Sequence, residues 1–290
     1  MAARVLVPLD GSDLAARAIP WARELATAIG ADVELLEVVP VDSNSQEGLL
    51  AAGEETEALR RGRALMLDGG RVECRVIHGS PADSIVARAA ASGAELIVMA
   101  SHGRGGVIRA VLGSVTADVL RQSPAPVLVV RANLAAVARP PRRILVALDG
   151  TDLSESIIRR TLPLIQRLGA TVVLCSVASL PPQAIPVQGA MIPVPAGEVH
   201  TPAERADYVD RVASQMRDQS LVVEARVGVG DPAGVIASTA ADAGVDVIAM
   251  ATHGRSGLER WALGSVTEVV IRDAGVPVLA VHPVPPDSAS

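Results

Sequence analysis

The sequence predicts an α/β protein made of two similar, open, doubly wound parallel sheets, each with five strands and flanking helices. Short apolar runs alternate with amphipathic segments along the chain, which is typical of repeated strand–helix–strand units. Runs such as "LIVMA" (96–100) are apolar at every position, as expected for parallel strands that are buried on both faces. The same series of segments then occurs a second time.

The segments of the first half predict its elements in chain order. Uninterrupted apolar runs predict strands near 4–10, 32–39, 72–78, 95–100 and 126–131. The amphipathic segments between them predict helices near 13–29, 54–67, 82–92 and 114–122. Helix starts are expected at residues with capping chemistry, namely Ser12, Ser80 with Pro81, and Asp231 with Pro232. Gly30 and Gly169 lie where a helix should end.

The chain is predicted to have two domains because its halves match closely. "RVLVPLDGSD" (4–13) matches "RILVALDGTD" (143–152), and 13 of 21 positions are identical between 99–119 and 250–270. The length of 290 residues allows about two domains. We expect domains at 1–132 and 143–283, a linker at 133–142, and a Pro-rich loop inserted near 179–202. So many prolines are poorly suited to a helix or a central strand.

Composition excludes several classes of protein. The net charge of −6 and the single Tyr, two Trp and no Phe disfavour nucleic-acid binding. All 26 basic residues are Arg, which excludes a lysine Schiff base and a lysine-bearing phosphate loop. No apolar run approaches a membrane span, and "MAARVLVPLDG" predicts a first strand rather than a signal peptide. Cys74 and Cys175 lack disulfide or zinc spacing and are expected to be inert thiols, so we expect a cytoplasmic location.

Two polar loops follow the first and fourth strands of each half. In a doubly wound sheet, ligands bind beyond the carboxyl ends of the strands where the strand order reverses. The loops "DGS" and "SHGRGG…GS" would face each other if strands one and four are neighbours. The order 3-2-1-4-5 would make them neighbours, although the pattern alone permits that order without requiring it.

The second loop of each half ends in Gly-Ser at a predicted helix start. Gly113-Ser114 and Gly264-Ser265 would present free N–H groups to an anion, and glycine lets the backbone approach a phosphate closely. The same loops carry positive charge on Arg104, Arg109, Arg255 and Arg260. These features predict a phosphate site. A Gly-rich turn with solvated arginines is the alternative.

Asp10 and Asp149, which follow the first strand of each half, are open to two interpretations. They start the turn into the next helix, or they accept hydrogen bonds from a sugar or base, or hold Mg²⁺. His102 and His253 have no partner ligands at metal spacing and are expected to be hydrogen-bonded loop residues. No metal site and no nucleophile–base set is predicted.

These motifs resemble the universal stress protein family in its tandem two-domain form. The resemblance covers nearly all 290 residues and rests on "VLVPLDGS", "GSPADSI", "MASHGRGG…LGSV" and "PVLVV". It implies the strand order 3-2-1-4-5, and one subclass of the family binds ATP through G-x₂-G-x₉-G-[S/T] after strand four. It also implies that the final strands "PVLVV" and "PVLAV" pair with each other, since apolar edge strands need cover.

The resemblance implies a nucleotide site in each half. Ala100 and Ala251 replace the first glycine of the motif. Contacts to phosphate are implied for Gly103, Gly113, Ser114, Gly254, Gly264 and Ser265. Asp10 and Asp149 are implied to lie near the adenine and ribose. The implied base pockets are lined by Pro8, Leu9, Val38, Met99 and Val115, and by Ala147, Leu148, Val177, Met250 and Val266.

The function predicted from these residues is an ATP-binding regulatory or stress-response protein that takes ATP, with or without Mg²⁺, and hydrolyses it slowly at most. The halves are expected to pack as a pseudo-dimer, and a homodimer is plausible. An alanine with negative φ would be tolerated in the motif unless its methyl group touches the ribose or phosphate, whereas positive φ would cost about 1–2 kcal/mol. The alternatives are a nucleotide-free scaffold for protein–protein interaction and an adenylate-handling enzyme. The enzyme would need a Gly-Gly-x-Asp-Ser loop that "DGSD" does not provide.

Overall fold

A computed structural model describes most of the chain. The described residues are 3–40, 56–66, 71–101, 112–131, 133–134, 139–178, 201–252 and 263–282, together with the backbone of 185–187 and 190–192. The elements of the first half are β1 (Arg4–Leu9), α1 (Asp13–Ala16), α2 (Ala18–Ile29), β2 (Asp32–Val39), α3 (Glu57–Ala64), β3 (Val72–His78), α4 (Pro81–Ser92), β4 (Leu96–Ala100), α5 (Ser114–Gln122) and β5 (Val127–Val130).

The second half repeats this series with a single helix in place of α1 and α2, and it has one additional pair of short strands. Its elements are β6 (Arg143–Leu148), α6 (Asp152–Leu168), β7 (Thr171–Ala178), β8 (Ile185–Val187), β9 (Ala190–Ile192), α7 (Pro202–Arg217), β10 (Val223–Val229), α8 (Pro232–Asp242), β11 (Val247–Ala251), α9 (Ser265–Asp273) and β12 (Val278–Val281).

Ten strands form one continuous sheet in the order β10-β7-β6-β11-β12-β5-β4-β1-β2-β3. Neighbours within each half are parallel, and each half has the order 3-2-1-4-5. The final strands β5 and β12 pair antiparallel, with Leu128 opposite Leu279, and this pairing joins the two halves. The predicted α/β fold class and strand order are confirmed.

Alternate side chains of each strand pack on opposite faces of the sheet. Val5 and Val7 of β1 pack on the face that α2 covers, whereas Leu6 packs on the face that α4 covers. All three side chains are fully buried. This two-sided burial is why the strands have apolar residues at every position.

The helix predicted over 13–29 is interrupted at Arg17, so this prediction is wrong in one respect. Pro20 has no N–H to donate to the carbonyl of Ala16, and its ring crowds that carbonyl, so α1 and α2 are separate. The predicted ends at Gly30 and Gly169 are confirmed, with φ of 63° and 59°.

The predicted caps differ in what their side chains do. Ser12 Oγ accepts from the Ala15 N–H at 3.1 Å, and Asp231 Oδ2 accepts from the Gly234 N–H at 2.8 Å. Ser80 stands at the expected position before α4, but its side chain accepts no helix N–H. The Pro-rich insertion contains the antiparallel pair β8 and β9, apart from the main sheet, so it is not a loop throughout. Proline is tolerated in such a short separate ribbon, since it interrupts no central ladder.

Side chains of the second half also contact the first half directly. Arg167 Nη1 lies 2.6 Å from Glu95 Oε2, and its other terminal nitrogen donates to the Ile29 carbonyl. In the other direction, Arg131 Nη1 donates to the Ala274 carbonyl at 2.8 Å. These contacts and the β5–β12 pairing hold the halves together as a pseudo-dimer.

The two halves differ in side-chain size at two equivalent positions. One position is on a strand, β3 or β10, and the other is on the helix that follows it, α4 or α8. Ile77 and Ser84 of the first half correspond to Gly228 and Val235 of the second. A Cβ at Gly228 would overlap Cγ1 of Val235. The first half therefore has the larger residue on the strand and the smaller one on the helix, and the second half has the reverse.

We expect Gly228→Ala to lower the free energy of unfolding by about 1–3 kcal/mol through this overlap. The substitution Val235→Ser removes the overlapping methyl groups, so the double variant is expected to recover most of the loss. Urea denaturation of the wild type, the two single variants and the double variant tests whether the two substitutions are coupled. Equal losses for Gly228→Ala with and without Val235→Ser would show that the overlap is not the cause.

Candidate functional site

The loops that the sequence singled out meet at the carboxyl edge of the sheet. β1 and β4 are parallel neighbours, so Asp10 and Ser101, the residues after them, lie at the same edge. β6 and β11 are neighbours in the second half, which places Asp149 and Thr252 in the same relation. This is the point at which the strand order reverses in each half, where doubly wound sheets bind ligands.

Each aspartate at this edge is part of the turn into the next helix. Asp10 Oδ1 accepts from the N–H of Ser12 at 2.9 Å and from its hydroxyl at 2.6 Å. Asp149 Oδ1 accepts the same two bonds from Thr151, at 3.0 and 2.6 Å. The structure therefore shows both aspartates forming the turn that one of the two interpretations predicts. A role toward a sugar, base or Mg²⁺ stays a prediction.

The Gly-Ser pair of each half begins a helix, with glycine at the N-cap and serine as the first helical residue. The N–H of Gly113 donates to the Ser101 carbonyl at 2.9 Å, which holds the start of α5 beside the end of β4. Thr116 Oγ1 adds a bond to the Ala100 carbonyl at 3.0 Å. The first N–H groups of a helix have no partner within it, so they are available to an anion.

The second half repeats these contacts. The N–H of Gly264 donates to the Thr252 carbonyl at 2.7 Å, and Thr267 Oγ1 donates to the Ala251 carbonyl at 2.8 Å. Both threonines are buried, whereas Ser114 and Ser265 are exposed. The threonine that holds each helix to the strand is thus buried, whereas the serine at the first helical position is exposed to solvent.

Ala100 and Ala251 have ordinary strand conformation. Ala100 pairs with Val130 in β5 and Ala251 pairs with Val281 in β12. Among the described non-glycine residues, positive φ occurs at Ser220 alone. Alanine therefore imposes no backbone penalty at the first position of the motif in either half.

The residues predicted to line the base pockets divide between the two faces of the sheet. One group packs on the face covered by α4, α5, α8 and α9; it comprises Val38, Met99, Val115, Ala147, Val177, Met250 and Val266. Pro8 is buried and shares this face by the alternation of β1. Leu9 and Leu148 pack on the opposite face, so the structure does not bring their side chains to the same group.

Several predicted residues lie outside the described part of the chain. They are His102, Gly103, Arg104, Arg109, His253, Gly254, Arg255 and Arg260. Within the described ranges, no three His, Cys, Asp or Glu side chains are placed to hold a metal ion. None of the helices in those ranges is long and apolar enough to cross a membrane.

Sequence reasoning missed two buried charged residues near the site. Glu37 of β2, 8% exposed, accepts a hydrogen bond from the Thr56 hydroxyl. Arg205, 4% exposed, reaches from α7 to donate to the Asp149 carbonyl at 2.7 Å. The signal was present: Arg205 lies on the buried face of α7 with Val209 and Met216, at helical spacing.

Cys175 is not a candidate nucleophile. Burial raises the pKa of its thiol to about 11, against a smaller lowering effect of the hydrogen bond with Thr239. The thiol therefore stays protonated near neutral pH and packs as a small apolar side chain.

Comparison with known proteins agrees with this architecture. The model of the universal stress protein family matches residues 1–131 and again 141–282. A universal stress protein of Mycolicibacterium smegmatis is 26% identical over 96% of this chain and 97% of its own length. The crystal structure of a universal stress protein from Archaeoglobus fulgidus has a TM-score of 0.72 and 19% identity, and it covers 96% of this chain and 98% of that one.

A shorter relative provides a further comparison. A universal stress protein whose crystal structure is in complex with cAMP is 30% identical to this chain, with a TM-score of 0.38. It covers 46% of this chain and 99% of its own. Because the family model matches twice and accounts for most of the sequence, the chain belongs to the universal stress protein family.

Proposed function

We propose that this protein is an ATP-binding regulatory protein of the stress response, with a nucleotide site in each half. The observation that carries the proposal is the repeated helix start at the carboxyl edge of the sheet. In both halves Gly-Ser begins a helix that is tied to the end of one strand, at the same edge of the sheet as the aspartate after the first strand. The two units, 1–132 and 143–283, are proposed as separate binding domains joined by the linker 133–142.

The residues present suit the parts of a nucleotide. Phosphate groups would bind the free N–H groups at the start of α5 and α9, where the helix dipole favours an anion. The base would lie against the apolar group around Met99 and Val115, and against its counterpart in the second half. Gly103 and Gly254, with the arginines that follow them, are proposed to complete the phosphate contacts. Mg²⁺ would be held mainly by the phosphates and water.

Regulation rather than turnover is proposed because the two carboxylates assigned to the site, Asp10 and Asp149, are engaged in holding a turn. The engaged atom of each is Oδ1, which accepts from Ser12 in the first half and from Thr151 in the second. ATP hydrolysis is therefore proposed to be slow at most. The cytoplasmic location stays a prediction from cysteine usage.

A nucleotide-free scaffold is the second candidate function. It is favoured by the hydrogen bonds from Ser12 and Thr151, which give both aspartates a structural task without any ligand. In that case the loops would serve as helix caps, and the protein would act through its surface.

Isothermal titration with ATP and Mg²⁺ separates the two candidates. We expect heat of binding and competition by ADP, with cAMP titrated as a second nucleotide. Mass spectrometry of the purified protein under non-denaturing conditions is expected to detect copurified adenine nucleotide. An absence of heat, of copurified nucleotide and of any change in melting temperature would favour the scaffold.

Restoring the glycine of the motif is expected to change ATP affinity by less than about threefold. Ala100 and Ala251 are extended strand residues, so Ala100→Gly and Ala251→Gly relieve no strain. Each substitution should lower the free energy of unfolding by about 0.5–1 kcal/mol, because glycine weakens a strand. A tenfold gain in affinity by titration would show instead that the alanine methyl group obstructs the nucleotide.

A further inference from the structure

We infer that each nucleotide site depends on an arginine from the other half: Arg131 of the first half positions helix α9, and Arg160 of the second half positions helix α5. The inference rests on the proposed function and adds two positioning residues to it. Each arginine acts at the far end of a helix whose first residues are proposed to bind phosphate, so neither has to contact the nucleotide.

Arg131, the residue after β5, reaches across to the end of α9. Its Nη1 donates to the carbonyl of Ala274 at 2.8 Å, and Ala274 is the C-cap residue of that helix. Because β5 and β12 are antiparallel, the end of β5 lies beside the turn that leads from α9 into β12. A cation at the last carbonyls of a helix also interacts favourably with the helix dipole. Arg131 therefore holds the end of α9 in place.

Arg160 of α6 makes the corresponding contact in the other direction. Its Nη1 donates to the His282 carbonyl at 2.6 Å, and its other terminal nitrogen donates to the carbonyl of Pro124. Pro124 lies in the turn between α5 and β5. The Ser123 hydroxyl closes this turn through hydrogen bonds with the backbone of Ala125. Arg160 therefore holds the turn at the end of α5.

The two contacts are alike in position but are made by different residues. Both arginines donate to the turn after a proposed phosphate-binding helix, at positions one residue apart when the halves are aligned. The residue equivalent to Arg131 is His282, whose side chain is shorter, and Arg160 bonds to its carbonyl. The residue equivalent to Arg160 is Trp21. The contact is thus present in both directions although its donor differs, which favours a requirement for the contact itself.

The far end of these helices matters because they are short. α5 and α9 have nine residues each, and helices of that length depend on tertiary contacts for their stability. The start of each is fixed to the end of a strand, as in the bond from the Gly264 N–H to the Thr252 carbonyl. A second fixed point about 13 Å away sets the direction of the helix axis, and with it the direction of the first N–H groups. Groups that are already aimed at phosphate lose less freedom when it binds.

Titration of full-length variants with ATP and Mg²⁺ tests the inference one site at a time. Ser114→Glu and Ser265→Glu each place a carboxylate where phosphate would bind, so each leaves one half able to bind. In the Ser114→Glu background, which reports the second site, Arg131→Met is expected to weaken ATP binding by about threefold to tenfold. In the Ser265→Glu background, the same substitution should change the affinity of the first site by less than about twofold.

Arg160→Met is expected to show the opposite pattern, with a loss of about threefold to tenfold at the first site and a smaller loss at the second. Crossed losses support the inference, because a general loss of stability would weaken both sites alike. Equal losses at the two sites, a loss confined to the half that carries the substitution, or unchanged affinity overturns it. Where one background alone binds ATP, the arginine of the opposite half must weaken binding more than the other arginine does. Wild-type protein that binds no ATP overturns the proposed function, and this inference with it.

Arg167→Met is the matched control. Arg167 also connects the halves, but it contacts Glu95 and the Ile29 carbonyl rather than the end of α5 or α9. We expect it to change the affinity of either site by less than about twofold. A loss as large as that of Arg131→Met would show that contact between the halves in general is the cause, and would overturn the inference.

Circular dichroism checks the fold of each variant. If a methionine variant does not fold, Arg131→His or Arg160→Gln takes its place. The first of these introduces the residue type that the second half already has at the equivalent position. The crossed pattern, or its absence, decides the question in the same way.

Discussion

Glu34→Ala is expected to lower the free energy of unfolding by about 1–3 kcal/mol, because it leaves the partly buried guanidinium groups of Arg4 and Arg88 without their shared carboxylate. Glu34 is fully buried in β2. Its carboxylate accepts from Arg88 at 2.5 and 2.9 Å, from Arg4 at 2.8 Å and from Arg75 at 3.1 Å.

The second half supplies the matched control for this substitution. Val173 and Thr239 occupy the places of Glu34 and Arg88. The double variant Glu34→Val with Arg88→Thr therefore has a pairing that the protein already uses, and we expect it to recover most of the stability that Glu34→Val loses. Guanidinium denaturation should show a lower midpoint for the single variants at a similar slope. Losses that simply add in the double variant would contradict the account.

The same carboxylate makes stability depend on pH. Burial raises the pKa of Glu34, but the hydrogen bonds from Arg88 and Arg4 and the nearby arginine charges outweigh it, so the pKa lies below the ordinary value of 4.5. A depressed folded-state pKa contributes stability that is fully present above the unfolded value and lost as pH falls through the folded one. The advantage of wild type over Glu34→Gln should therefore shrink below about pH 4.

Saturating ATP with Mg²⁺ is expected to raise the free energy of unfolding by about 2.7 kcal/mol for each occupied site, at a ligand concentration 100 times the Kd of that site. The double variant Ser114→Glu, Ser265→Glu is expected to abolish this increase. Both serines are exposed first residues of helices, at the proposed phosphate positions. A carboxylate at these positions repels phosphate. Its interaction with the helix dipole stabilises the helix by about 0.3–1 kcal/mol, so the variant should fold well.

The control for this experiment is Ser114→Gln, Ser265→Gln, which has the same side-chain length without the charge. We expect it to keep part of the stabilisation by ATP, as measured by the shift in melting temperature. Stabilisation by ATP that persists undiminished in the Glu variant would place the phosphates elsewhere in the protein.

Local patterns predicted much of this structure. Strand 72–78 and helix 114–122 have the predicted bounds, because apolar periodicity and the Gly-Ser start are properties of neighbouring residues. The break at Arg17 was missed, although Pro20 is a local signal, because the apolar pattern continues through it. The hairpin β8–β9 was missed because its prolines suggested an irregular loop.

The sequence by itself determined the order of elements, the duplication and the polar residues at the ends of the strands. Each of these depends on short-range periodicity, capping or repetition. Only the tertiary structure decided which charges meet: Glu34 with Arg88, 54 positions apart, and Arg205 with the Asp149 carbonyl, 56 positions apart. Such pairs form because packed helices bring distant residues to one strand, and no local pattern encodes that distance.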